Sequence, residues 1–310
     1  MPLQYNTDSG LFEFAEMPDD LLLLERSHAS YLPALLQNLN SFNELFKRAF
    51  EISEFWSIWT LLGVRGLQDA GWDPFESTKE AIQSVSEHFS HVGGQLQSHL
   101  SLWVYGHILE ASEHYEVLHN MVSIAAGGAF NTDCFRALRQ SDRQPSPGTK
   151  IAALKVAAMA LGLGPTFDLL QETWDRNLRN AIFHSDYSVH GPEVRIRHPP
   201  RHYTHDETMT LINRALAYHQ AIVTLRDFYI SSYAEPELID VPADFNARPG
   251  ERAAVIVKEG RGAIGLKSAS TEEENRRGAI PWRVGKFTRD EMAFLDAHPT
   301  SAYIPADIAR

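Results

Sequence analysis

Apolar residues recur at three- and four-residue intervals over most of the first 233 positions, and that spacing predicts helices. The pattern reads as helical from Leu11 through Leu21–Leu24 and on to Trp72, with Leu35, Leu39, Phe42, Leu45 and Phe46 on one line. Trp56 and Trp59 continue it and are expected as core aromatics. Asp69-Ala70-Gly71-Trp72-Asp73-Pro74 ends the run. A helix follows from about Pro74 to Val92, then Gly93-Gly94, then the longest periodic segment, Gln95 to Ala126, with Leu100, Val104, Ile108 and Ala111 apolar. Ser146-Pro147 is a helix start, a capping hydroxyl with proline at the first helical position. After Gly162-Leu163-Gly164-Pro165, a helix from about Thr166 to Ser185 places Leu170, Trp174, Leu178 and Ile182 four apart and toward a core.

The period then changes to two. Tyr187–His190 and Glu193–Arg197 alternate around Gly191-Pro192, which predicts a hairpin. Thr204-His205-Asp206-Glu207 forms a capping box ahead of a helix that runs to about Tyr233. Glu235 to Arg248 reads as a linker. A second hairpin is expected from Ala253–Val257 and Ala263–Leu266, and Thr288–Glu291 caps a short helix through Met292, Phe294 and Leu295. This tail is too small for an independent core, so it should pack on the bundle or on a second subunit. The fold class expected is mainly all-α: a helical bundle, a short β-hairpin after the helix Thr166–Ser185, and a small α+β tail. The expected division is an N-terminal helical extension (1–94), a helical domain (95–235), and linker plus tail (236–310).

Composition narrows the partners. The 310 residues carry a net charge of −12, so the broad basic surface used to grip long nucleic acid is not expected. Any RNA contact must be local or to a short substrate. The single Cys134 precludes an intrachain disulfide and suits a reducing compartment. No apolar run is long enough for a membrane span, and the first twenty residues do not read as a secretion signal. A cytoplasmic protein with no membrane partner is the expectation.

Two polar stripes carry candidate chemistry. On the segment from Gln95, His99, Trp103, His107, Glu110 and His114 follow helical spacing. A metal-dependent bundle enzyme using His107, Glu110 and His114 is one possibility. A di-iron bundle needs Glu-x-x-His on two helices, and only Glu116-Val117-Leu118-His119 supplies it, so no metal or other cofactor is assigned. The second stripe is Arg176, Asn180 and His184, four apart on the helix ending at Ser185. Beside it, Arg179 and His184 are five apart and point about 140° from each other on a helix. They cannot form one compact pair. The helix dipole favours a cationic His184, Arg176 and Arg179 oppose it, and Asp186 favours it.

Arg179-Asn180-Ala181-Ile182-Phe183-His184 resembles the signature of the HEPN superfamily, an arginine, four to six residues, then histidine, with a polar residue after the arginine. The resemblance covers roughly residues 95–233. Arg195 and Arg197 stand in the same spacing to His202, but in a strand and loop rather than at a helix end. The resemblance implies a HEPN-type bundle and a metal-independent endoribonuclease of a toxin or antiviral-defence system. It also implies a homodimer with the motif at the subunit interface, RNA as substrate, and an antitoxin or other defence-system protein as partner. His184 would serve as acid and base and Arg179 as the phosphate-binding cation. Asn180 would orient His184 or contact a phosphate, Arg176 would add charge, and Asp186 and Tyr187 would support the site. Tyr187 stands one position beyond the place where some HEPN toxins carry a nucleotidylated tyrosine, and is expected to face the core. A non-catalytic HEPN-like module that binds a partner protein or nucleotide is the alternative.

Overall fold

Among the described residues helices predominate, and three small antiparallel sheets are attached to them. The computed structural model describes residues 3–14, 30–65, 74–88, 91–139, 144–245 and 250–268. Positions 21–24, 69–73 and the short helix expected at 288–295 lie outside the described residues. Contacts divide the chain into two compact units, Met1–Glu44, Thr78–Ser112 and Gln140–Thr224 in one, and Leu45–Ser77, Glu113–Arg139 and Leu225–Arg310 in the other.

The first unit opens with a hairpin, β1 (Leu3–Asn6) and β2 (Leu11–Phe14), where the spacing from Leu11 had suggested helix. Local and distant polar contacts decide this. Asn6 Oδ1 accepts from the backbone N–H groups of Asp8 and Ser9, which shapes the turn. Asn40 of helix α1 (Tyr31–Ile52) then clamps Phe12, accepting from its N–H at 2.8 Å and donating to its carbonyl at 3.2 Å. The core of this unit forms around Phe42, whose ring lies 6.0 Å from Phe167 and 6.1 Å from Tyr218. Helix α3 (Pro74–His88) also belongs here, apart from its first turn.

The segment from Gln95 to Ala126 is two helices, α4 (Gly94–Glu110) and α5 (Ser112–Ala125). Ala111 between them is buried and extended, with ψ of 103°. Ser146 caps α6 (Pro147–Met159) by accepting from the Thr149 N–H. The expected helix Thr166–Ser185 is also divided, into α7 (Asp168–Thr173) and α8 (Arg176–Phe183). The hairpin behind it gains a third strand: β3 (Tyr187–His190), β4 (Glu193–Ile196) and β5 (Arg201–Tyr203) pair antiparallel in that order. Gly191 has a φ of +61°, as a two-residue hairpin turn requires of its first central residue. Val194, Ile196 and Tyr203 are buried on one face, and Arg195 is exposed on the other. The capping box forms as expected, with Thr204 and Glu207 satisfying each other's N–H groups at the start of α9 (His205–Ser231).

In the second unit, helix α2 (Glu54–Arg65) carries the buried Phe55, Trp56 and Trp59, which cluster with Phe245 at centroid distances of 5.0–5.6 Å. The stretch read as a linker contributes a strand. β6 (Leu238–Asp240), β7 (Arg252–Lys258) and β8 (Gly262–Ser268) form a sheet that packs on α2 through β6 and β8, so this part of the tail does not rely on a core of its own. No described helix is long and apolar enough to cross a membrane.

Candidate functional site

The motif helix α8 starts where it does because of Asp175. Trp174 and Asp175 are extended, and Asp175 Oδ1 accepts from the backbone N–H groups of Asn177 and Leu178, both at 2.9 Å. Its other oxygen accepts from Arg201 Nη1 at 3.1 Å and from the Tyr203 hydroxyl at 3.0 Å. The Asp175 N–H donates to the Tyr105 hydroxyl, which donates in turn to the Thr173 carbonyl. Burial, together with the Asp175 charge, pushes both tyrosine hydroxyls well above their ordinary range, so they stay protonated as donors. Leu170, Leu178 and Ile182 are buried as their spacing suggested, whereas Trp174 falls at the break and is only half-buried.

The stripe on α4 is the surface that receives this helix and the strand after it. His99, Trp103, Gly106 and Glu110 are four, three and four residues apart and share a face. Glu110 Oε1 accepts from Arg179 Nε at 2.5 Å. A Cβ on Gly106 would lie 3.1 Å from the Phe183 ring and 3.4 Å from Ile182, so glycine lets α8 approach. Trp103 lines one apolar groove with Ile182 and Phe183, and its indole favours the ionised form of the Tyr187 hydroxyl. His99 Nδ1 is 2.8 Å from the same hydroxyl. This replaces the metal possibility for the stripe: Glu110 is engaged by Arg179, and the break at Ala111 places the fully buried His114 on a different helix. Among the described residues no group of three or more His, Cys, Asp or Glu side chains is placed to hold a metal ion.

Arg179 is held on three sides. Besides Glu110, its Nη1 donates to Asn180 Oδ1 at 2.8 Å, and its guanidinium lies 4.8 Å from the centre of the Phe183 ring. Asn180 thus orients Arg179, not His184 as its position four residues earlier had suggested. Nη2 makes no hydrogen bond among the described residues. The ion pair is partly exposed, so its direct contribution to stability is about 1 kcal/mol or less. What it fixes is direction.

His184 is the C-cap of α8 and is exposed. The helix ends in a Schellman arrangement: the Ser185 N–H reaches the Ile182 carbonyl, and the Asp186 N–H reaches the Ala181 carbonyl at 2.9 Å. Ser185 takes the left-handed position with φ of +54°. Asp186 therefore shapes the helix end through its backbone, its carbonyl also accepting from the Arg197 N–H. Tyr187 is half-buried, and burial raises its hydroxyl above the ordinary value, opposed by the Trp103 indole. It faces the α4 stripe and not the deep core. Arg176 is exposed at the other end of α8, lining a cleft with Trp174 and Arg201.

Arg195 and His202, the chance motif pair, face each other across β4 and β5 and both contact Glu193, His202 Nε2 at 2.9 Å and Arg195 at 3.2 Å. Those contacts hold the Glu193 carboxyl below its usual range. Sequence reasoning missed Asp175, Tyr105, Arg201 and Tyr203. The available signal was an Asp two and three residues ahead of the amides it caps, obscured by the apolar repeat running through Trp174. Comparison with protein-family models, curated proteins and solved structures finds no match for this chain.

Proposed function

We propose that this protein is a metal-independent endoribonuclease of HEPN type, belonging to a toxin or antiviral-defence system, and that it acts as a homodimer with Arg179 and His184 of both copies at one interface. The observation that carries this reading is an exposed His184 at the end of α8, five residues beyond an Arg179 held by Glu110, Asn180 and Phe183. A cation held in place with one nitrogen unbonded is suited to charge that develops on a phosphate, because little reorganisation is needed. His184 takes the proton from a ribose 2′-hydroxyl. The 2′ oxygen then bonds phosphorus, the bond to the 5′ oxygen breaks, and that oxygen receives a proton, leaving a 2′,3′-cyclic phosphate. With two histidines at an interface, one acts as base and the other as acid.

The apolar surroundings support a second copy as the neighbour. Trp103 and Phe183 are 52% and 51% exposed, and they border a groove of about 460 Å³ whose walls include Ile82, Leu100 and Val104. Phe183 lies between Arg179 and His184 in sequence, so an interface covering it brings two motifs together. His184→Ala is expected to lower cleavage of RNA about 10²–10⁴-fold with little change in Tm, and chelator should leave the parent activity intact. Phe183→Glu should yield a monomer by light scattering and lose activity. Undiminished cleavage by His184→Ala would sink the proposal.

The Glu110–Arg179 pair also favours a second reading, a non-catalytic module that binds a partner protein or nucleotide. A carboxylate already neutralises the arginine, as a structural ion pair does. Under that reading no cleavage is seen at any enzyme concentration, and His184→Ala leaves partner binding unchanged.

A further inference from the structure

At the opposite end of α8 from His184 lies a cleft of about 580 Å³. Trp174 is one wall, and its indole Nε1 packs so closely on Gly148 that a Cβ there would come within 2.5 Å of it. Tyr203 is another, with the Arg201 guanidinium stacked 4.2 Å from its ring centre. Six charged side chains line the cleft, and four are already engaged. Asp175 and Arg201 bind each other, Glu172 pairs with Arg214, and Glu207 accepts from Thr204. Arg176 and Asp206 remain, both exposed and neither making a hydrogen bond or ion pair among the described residues.

A ligand for this cleft must offer a flat face to an indole, an anion to Arg176, and hydrogen-bond donors to Asp206. A nucleotide offers all three: bases stack on aromatic side chains, and guanidinium binds phosphate. The carboxylate selects the base. Of the four RNA bases only guanine presents two adjacent donors, N1–H and N2–H, on its Watson–Crick edge, matching the two oxygens of Asp206. We propose that this cleft is a guanine-nucleotide subsite, with Trp174 stacking the base, Asp206 reading its edge and Arg176 holding a phosphate. The inference rests on the nuclease reading for the nucleotide being part of an RNA strand. Arg176 and His184 are eight residues apart, about 12 Å along a helix, which sets the guanine a few nucleotides from the scissile bond.

The test titrates the four ribonucleoside 5′-monophosphates into the full chain carrying His184→Ala, by calorimetry. Guanosine 5′-monophosphate is expected to bind at least tenfold tighter than the other three. Trp174→Phe keeps an aromatic face for stacking and should weaken guanosine binding less than Trp174→Ala, which should weaken it about tenfold. Asp206→Asn, on an exposed residue in the first turn of α9, should abolish the preference with only a small loss of Tm. Equal binding of the four nucleotides, no binding at millimolar concentration, or an undiminished guanine preference in Asp206→Asn overturns the proposal. In the protein with His184 intact, RNA cuts should fall at a fixed offset from guanine, and Asp206→Asn should remove that offset while cleavage continues. Guanosine binding without any cleavage would remove the nuclease reading and leave the subsite; cleavage without guanine preference would do the reverse.

Discussion

Ser185 shows how much of the site depends on one backbone angle. Its φ of +54° ends α8 and turns the chain into β3 within two residues, which leaves His184 exposed at the helix end. A residue with a Cβ in this conformation is strained by about 1–2 kcal/mol, and glycine is not, although glycine loses more chain entropy on folding. Ser185→Gly should therefore raise unfolding stability by about 0.5–1 kcal/mol in urea titration. A loss of stability would mean that the serine side chain contributes a contact worth more than the strain. The residues that orient the motif were only partly legible in the sequence. Ser146 and the Thr204–Glu207 box were readable because a cap and its amides lie within three residues. Asp175 caps amides just as near, but the apolar repeat through Trp174 hides that cap and its other partners are far off: Tyr105, Tyr203 and Arg201 stand 70, 28 and 26 residues away.

Between elements, the decisive contact is that of α4 with α8, and Gly106 sets its distance. Two effects compete on substitution. Alanine in a helix interior is favoured over glycine by about 1 kcal/mol, while its Cβ would crowd Phe183 at 3.1 Å. Phe183 is half-exposed and can shift by tenths of an ångström, so Gly106→Ala should come out near neutral in stability. Gly106→Leu has no such room. It should cost about 1–3 kcal/mol by overpacking, separate Glu110 from Arg179 and, under the proposed nuclease function, reduce RNA cleavage more than its loss of stability explains. Activity of Gly106→Leu equal to that of Gly106→Ala would show that the approach of these helices does not align the arginine.

Across the whole molecule, buried His219 ties folding to pH. Burial, then the charges of Lys79 and His107, lower its pKa from 6.5 to about 4. The unfolded chain therefore binds a proton near pH 6.5 that the folded chain refuses until about pH 4. Stability contributed by neutral His219 is fully present above pH 6.5 and is lost as pH falls through 4, by about 3 kcal/mol in all. His219→Gln should flatten this part of the stability–pH curve relative to the parent, measured by urea unfolding at pH 7, 5.5 and 4.5. Parallel curves for the two proteins would place the acid sensitivity elsewhere.

The amino-acid sequence by itself determined which residues share a helical or strand face, where several helices begin, and that two hairpins follow the change of period. These are local properties, set by 3.6- and 2-residue repeats and by caps that act within one turn. It could not determine what each face meets. The stripe that offered His107, Glu110 and His114 to a metal meets another part of the chain instead, and only its packing shows that His99, Trp103 and Glu110 receive Arg179, Phe183 and Tyr187. The helix through Trp174 was continuous by apolar spacing, yet hydrogen bonds from Tyr203 and Arg201 to Asp175 hold it open. Spacing is encoded along the chain; the partner of a polar side chain is decided only when distant segments come together and a buried donor or acceptor must be satisfied.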